Sequence, residues 1–182
     1  MSQLIDPGRQ RTHSWQDPTP IHARIHEADG LTVLREWVEG RTPPPPVAGT
    51  LGFAVARVES GRVTVTLTAA EFHCVRTGIV HGGIAATLCD TACGFAVHSL
   101  LPAGAYAVSA DLNLRYLRPV LVTSGTLTCT GTVKHVNQVN ARSALAQAEL
   151  TGPDGALLAH ATSTVLIRGI DPIHPTIESG PR

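Results

Sequence analysis

The chain is short of features that mark several large functional classes. Aromatic residues make up only 4% of its 182 positions, too few for the stacking platforms that hold single-stranded nucleic acid. Neither sign of charge dominates, since 14 Lys and Arg balance 14 Asp and Glu. A neutral chain gives no electrostatic reason to expect nucleic acid or an anionic membrane as partner. No apolar run approaches the ~20 residues of a membrane-crossing helix. The polar start of the chain has no apolar secretion signal. We expect a soluble protein of the reducing cytoplasm. Cys74, Cys89, Cys93 and Cys129 include no CxxC pair, against the usual zinc patterns, and cysteines in apolar runs are small buried hydrophobes. His22 and His26 could share a helix face, but no third metal ligand is evident. The G-x-S-x-G elbow, the P-loop and the dinucleotide fingerprint are all missing.

What the chain does have is 43% hydrophobic residues, enough for one domain with a core. Residues 1–46 form an N-terminal extension. Its first 29 residues are polar and expected to be loosely packed. Leu31, Leu34, Trp37 and Val38 then recur at helical spacing, and residues 43–46 are a stiff proline connector. The folded domain covers residues 47–169, and residues 170–182 are a Pro-punctuated tail. Runs 51–58 and 62–67 flank Glu59-Ser60-Gly61 as a hairpin. Residues 81–101 are apolar on nearly all sides, with Asp90 the one formal charge, which describes a buried helix. Residues 105–117 alternate, with Tyr106, Val108, Ala110, Leu112, Leu114 and Tyr116 on one face. Strands at 125–134, 143–150 and 157–167 follow. The economical solution is α+β, one long central helix wrapped by an antiparallel sheet of about five to six strands. A single helix leaves such a sheet partly uncovered, so a homodimer or homotetramer is expected.

Asp90 is the candidate for chemistry. A carboxylate inside a buried helix is costly unless it is paired, hydrogen-bonded or protonated. One reading is a bond to a backbone amide or to Thr87; the other is a general base or nucleophile. Its helical neighbours, among them Gly83 and Thr87, are small and leave room for a ligand or another chain. Gly82-Gly83 opens the helix. It is either an ordinary tight start or a set of unobstructed N–H donors that, with the helix dipole, stabilise an oxyanion. Gly82 and Asp90 are eight residues apart, roughly 12 Å along a helix. A reacting carbonyl needs both within about 3 Å. Two antiparallel helices from two subunits satisfy that requirement; one helix does not.

The segment Gly78-Ile79-Val80-His81-Gly82-Gly83, with Asp90 nine positions after the histidine, resembles the PaaI-type hotdog-fold acyl-CoA thioesterases. The likeness runs over residues 30–167 and includes Ser109-Ala110-Asp111-Leu112 and Tyr116-Leu117-Arg118-Pro119. It implies a hotdog fold and hydrolysis of an aryl- or medium-chain acyl-CoA with no metal or other cofactor. By this resemblance Asp90 is the catalytic carboxylate and Gly82 offers the oxyanion N–H. Ser109 positions water or the carboxylate, and His81 is the motif histidine. Such enzymes place Asn or Gln six residues before that histidine, where this chain has Val75. Losing one such donor costs about 3 kcal/mol of transition-state stabilisation if nothing replaces it; His73 and Cys74 flank the position. Arg115, Arg118, Lys134, His135 and Arg142 are candidates for the coenzyme's phosphates, with Arg142-Ser143 opening a strand near the nucleotide end. Two further readings stand beside hydrolysis. One is non-catalytic acyl-CoA binding, favoured by Val75. The other is a lyase or different thioester reaction, using His73 or His81 with Asp90. Asp171-Pro172-Ile173-His174 echoes a hotdog hydratase motif but lacks its Asn.

Overall fold

A computed structural model describes residues 8–137 and 142–169. The Asp171–His174 echo therefore lies outside the described residues. The helices are α1 (Thr19–Glu27), α2 (Gly30–Val38), α3 (Pro46–Leu51) and α4 (Gly82–His98). The strands are β1 (Phe53–Glu59), β2 (Arg62–Thr68), β3 (Cys74–Arg76), β4 (Ile79–Val80), β5 (Ala105–Ser109), β6 (Asn113–Tyr116), β7 (Thr126–Val136), β8 (Ser143–Thr151) and β9 (Leu157–Gly169). The main sheet runs β1-β2-β7-β8-β9-β5, with β6 also on β9. Every pairing in it is antiparallel. The expected antiparallel sheet around one long helix is present, and it has seven strands.

Alternation builds its two faces. Val63, Val65, Leu67, Leu127, Cys129, Ala146, Ala148 and Leu150 are buried toward α4. Their neighbours Thr64, Thr66, Thr128 and Thr130 coat the other side. From α4, Ala85, Leu88, Cys89, Ala92, Cys93, Ala96 and Val97 are buried against the sheet. The contact is backbone-close at Gly131, where a Cβ would lie 2.0 Å from the Ala92 carbonyl oxygen. Three of the cysteines are free and buried, as small core residues should be. Burial, then the neighbouring Cys89 and Asp90, pushes the Cys93 thiol up to about 12. At the other end of α4, the Ser99 hydroxyl accepts from Gly61 N–H at 2.8 Å and donates to Ala96 O at 2.7 Å. That bond ties the β1–β2 turn to the helix.

The run 105–117 is not one strand. Ser109 pairs with Val165, but Asn113 pairs with Thr162, so one extra residue is accommodated between β5 and β6. Asp111 fills that gap. Its carboxylate accepts from Thr164 N–H at 2.9 Å, and its carbonyl accepts from the Ser163 hydroxyl at 2.7 Å. A bulge of this kind resets the two-residue period. The expected single face therefore breaks in two. Leu114 of β6 and Leu112 just before it pack on the core, whereas Ala107 does so in β5, and Val108 and Tyr116 are exposed.

The N-terminal extension holds more structure than its composition suggests. Residues 19–27 are helical where loose packing was expected. Pro20 stands in the first turn, where its missing N–H is no loss, and Ile21 is buried. The proline run also ends in a helix, because Pro46 starts α3. Glu36 locks α1 to α2. Its carboxylate takes a two-pronged ion pair from Arg24 at 2.8 and 2.9 Å and a further one from Arg41 at 3.2 Å. Leu34 of α2 belongs to the same core as the sheet. Among the described residues, no helix is long and apolar enough to cross a membrane.

Candidate active site

The start of α4 is arranged by its own short-range chemistry. His81 is the N-cap, and its Nδ1 accepts from Gly83 N–H at 2.8 Å. That leaves the proton on Nε2. A Cβ at position 83 would lie 2.8 Å from this Nδ1, so the second glycine permits the cap. Gly83 N–H and His81 Nδ1 are therefore both engaged within the protein. Thr87 is engaged too, its hydroxyl donating to Gly83 O at 2.9 Å, which removes it as a partner of Asp90. By contrast, no acceptor among the described residues meets the Gly82 N–H. This is an orphan donor at a helix N-terminus, the place where a developing oxyanion is best held. Tyr116 braces it from below by donating to Gly82 O at 3.1 Å.

Eight residues on, Asp90 stands on the wall of a cavity of about 600 Å³. No donor among the described residues reaches its carboxylate. The cavity is lined by Trp37, Val47, Phe53, Phe95 and Tyr106, and Ser109 shares its wall with Asp90. Gly94, one turn after Asp90, forms part of the same wall, and a Cβ there would meet open space. The room beside the carboxylate thus exists because position 94 has no side chain. His98 also lines the cavity. Burial holds its imidazole below the ordinary range, hence neutral. The pocket is largely apolar and charged only at Asp90, which suits an acyl group with its carbonyl at the carboxylate.

The two features do not share a cavity. Gly82 and His81 line a separate hollow of about 300 Å³ with Tyr116 and Pro119. Gly82 and Asp90 stay roughly 12 Å apart along the axis. The other named residues fall around these two. His73 is buried, its Nδ1 accepting from Ala70 N–H at 3.1 Å and its Nε2 facing Leu51 O at 2.8 Å. It has no ring nitrogen left for a substrate. Val75 is the middle residue of the short strand β3, 60% exposed. Arg142 and Ser143 open β8. Ser143 aligns with Leu166 and so with Val108, two strands away and roughly 10 Å across the sheet. They are thus level with the Ser109 end of β5.

Several parts of the cavity wall were not singled out from sequence, among them Trp37, Val47 and Tyr106. Trp37 comes from the extension and Val47 is the first residue of the domain, and their place beside α4 depends on long-range packing. Tyr106 points with the wrong set of residues unless the bulge is known. Gly94 was legible, since it stands four residues after Asp90 on the same helix face and is one of the small neighbours expected to leave room for a ligand.

A seven-stranded antiparallel sheet wrapped on one long helix, with a carboxylate on that helix and an unfilled N–H at its start, has the architecture of a hotdog fold. Comparison with known proteins agrees. Residues 77–158 match the thioesterase superfamily. A Halobacterium salinarum protein named as an esterase is 61% identical over 44 residues, which is 23% of this chain and 29% of that protein. A phenylacetic acid degradation-related protein of Ralstonia eutropha is 28% identical with a TM-score of 0.65, covering 73% of this chain and 98% of its own. The PaaI protein of the Escherichia coli phenylacetic acid degradation operon shares the fold at 23% identity and TM-score 0.65, over 75% and 94% of the two chains. A Streptococcus pneumoniae hypothetical thioesterase, solved with coenzyme A, is 25% identical with a TM-score of 0.57, over 64% and 86%. Over residues 77–158 the chain is thus similar to the thioesterase superfamily, its likeness to the solved structures shows a hotdog fold, and it spans less than a third of the curated relative it matches.

Proposed function

We propose that the protein hydrolyses an aryl- or medium-chain acyl-CoA to the free acid and CoA, in a site shared between two copies of the chain. The observation that carries this is the pairing of two unmet groups on one helix, the Gly82 N–H and the Asp90 carboxylate, too far apart to act together within one chain. Antiparallel packing of two α4 helices brings Gly82 of one copy to Asp90 of the other. The open edge at β5 and β6 is where a second sheet can continue the first. The acyl group lies in the cavity over Gly94, and the thioester carbonyl points at the partner's Gly82 N–H. Asp90 then takes a proton from water as the water attacks the carbonyl carbon, with Ser109 orienting it. Alternatively Asp90 attacks directly and water opens the mixed anhydride. Either way the C–S bond breaks and CoA leaves as its thiol. The S. pneumoniae relative's coenzyme A and the PaaI likeness support the substrate class. Gly83, Thr87 and His81 serve this site by shaping the helix start, and Arg142 with Ser143 stands level with Ser109 to meet the coenzyme.

A non-catalytic acyl-CoA binder is the second reading, favoured by Val75, which presents no donor to a thioester. One assay separates them. Purified protein is offered a panel of acyl- and aryl-CoAs with a thiol reagent, beside Asp90→Asn. Hydrolysis is expected, falling at least about a hundredfold in a folded Asp90→Asn variant. Tight binding with no CoA release from any substrate by the wild type would replace the hydrolase with the binder.

A further inference from the structure

The Asp90 cavity has no cationic wall, so the phosphates of the coenzyme must rest elsewhere. A second cavity of about 600 Å³ lies between the N-terminal segment and the 71–78 loop, and it is lined by Arg9, Arg11 and Arg76 together with Phe72 and Val75. The N-terminal segment is held down there by particular contacts. Arg11 lies over the Phe72 ring with its guanidinium carbon 4.0 Å from the centroid, and it donates to the carbonyl oxygens of Thr50 and Gly49. Arg9 meets Glu71 at 3.0 Å. Among the described residues that line it, three guanidiniums stand with one carboxylate, on a chain of zero net charge. Phe72 and Val75 are also 53% and 60% exposed. Exposed apolar surface beside arginines suits a phosphorylated aromatic base better than a bare anion. Position matters as well. Gly78 lines this cavity, and the oxyanion donor Gly82 is four residues further on, at most about 14 Å along the chain.

On the reading that the substrate is an acyl-CoA, we infer that the Arg9–Arg11–Arg76 cavity is the subsite for the phosphorylated adenosine end of the coenzyme. The chain that supplies the Gly82 N–H then also grips the nucleotide, while its partner supplies Asp90 and the acyl cavity. Val75 acquires a part in this arrangement as an apolar surface under the nucleotide end.

The test uses the full chain, Arg76→Ala, the double variant Arg9→Ala/Arg76→Ala, and Arg142→Ala as a comparator. Both altered arginines of the double variant are surface side chains, so the fold should persist. Two readouts are taken. The first is calorimetric binding of adenosine 3′,5′-bisphosphate, which needs no hydrolysis and so stands even if the proposed reaction fails. The second is the KM for an acyl-CoA against that for the same acyl group on N-acetylcysteamine, a thioester with no nucleotide. The subsite predicts that the double variant loses bisphosphate affinity at least tenfold, and that KM rises at least tenfold for the CoA thioester only. Unchanged bisphosphate binding, equal rises for both thioesters, or a loss confined to Arg142→Ala would overturn it. Inorganic phosphate competing as well as the bisphosphate would also overturn it, by reducing the cavity to a plain anion site.

Discussion

The two halves of α4 follow opposite rules. At its start nearly every polar group is matched locally: His81 caps Gly83, Thr87 returns its hydroxyl to Gly83 O, and Tyr116 holds Gly82 O. One group, the Gly82 N–H, is left over. From Asp90 onward the helix is embedded in apolar surroundings, and the unmatched group is a carboxylate facing a cavity. A helix that satisfied both halves would be a better structural element and no site at all. The leftover donor and the leftover acceptor are the two components an acyl-transfer site needs. Their separation along one rigid axis makes the second copy a chemical requirement of the proposed reaction.

Removing the leftover donor is the sharpest way to break this contrast after Asp90→Asn. Gly82 occupies the first helical position, where proline is well tolerated. Gly82→Pro therefore deletes the N–H without opposing the helix. The added ring meets the Tyr116 hydroxyl at about the 3.0 Å expected for a Cβ, and Tyr116, 58% exposed, can swing aside. We expect kcat to fall about a hundredfold with an unchanged circular-dichroism spectrum. Retained activity would mean that another donor holds the oxyanion.

Filling the cavity sharpens the other half. Gly94→Val should fold normally, since a Cβ there meets nothing within 4 Å, apart from a cost of under about 1 kcal/mol for a β-branched residue in a helix. It should lower kcat/KM for an aryl- or medium-chain acyl-CoA about tenfold relative to acetyl-CoA, a loss typical of a filled pocket. An equal effect on both substrates would place the acyl group elsewhere.

The smallest effect concerns the extension that walls the cavity. Arg24 holds the Glu36 carboxyl at about 2, against the opposing effect of its burial. A depressed carboxylate contributes stability that is complete above its unfolded value, near 4.5, and is lost as pH falls through about 2. Glu36→Gln should therefore destabilise the protein by about 1–2 kcal/mol at pH 7, since its partners are partly exposed. The difference from wild type should shrink below pH 4 in urea titrations. A gap that stays constant with pH would show that packing, and not charge, joins α1 to α2.

Much of this was legible in the residues. The hairpin, the buried helix and the later strands follow from period and punctuation, because these elements bury one face or all faces in regular fashion. The Gly82–Asp90 spacing, too, is simple helix arithmetic. What escaped depends on contacts between distant segments. The bulge at Asp111 arises from bonds to Ser163 and Thr164 more than fifty residues away. Helix α1 is held by an ion pair to α2, and its composition alone reads as loose. His73 looked chemically available, yet Leu51 O and Ala70 N–H engage both of its nitrogens. The Arg9–Arg11–Arg76 hollow joins residues some 65 positions apart in sequence, and no local pattern marks it.

The shared site is tested most directly by mixing two inactive proteins. Asp90→Asn and Gly82→Pro are combined in equal amounts, unfolded and refolded together, and assayed for CoA release. Random reassociation makes about half of the dimers mixed, and each mixed dimer carries one site with an intact Asp90 and an intact Gly82. The account predicts recovery of about a quarter of wild-type activity from the mixture. Activity no greater than that of the two variants refolded separately would contradict it, and would place donor and carboxylate within a single chain.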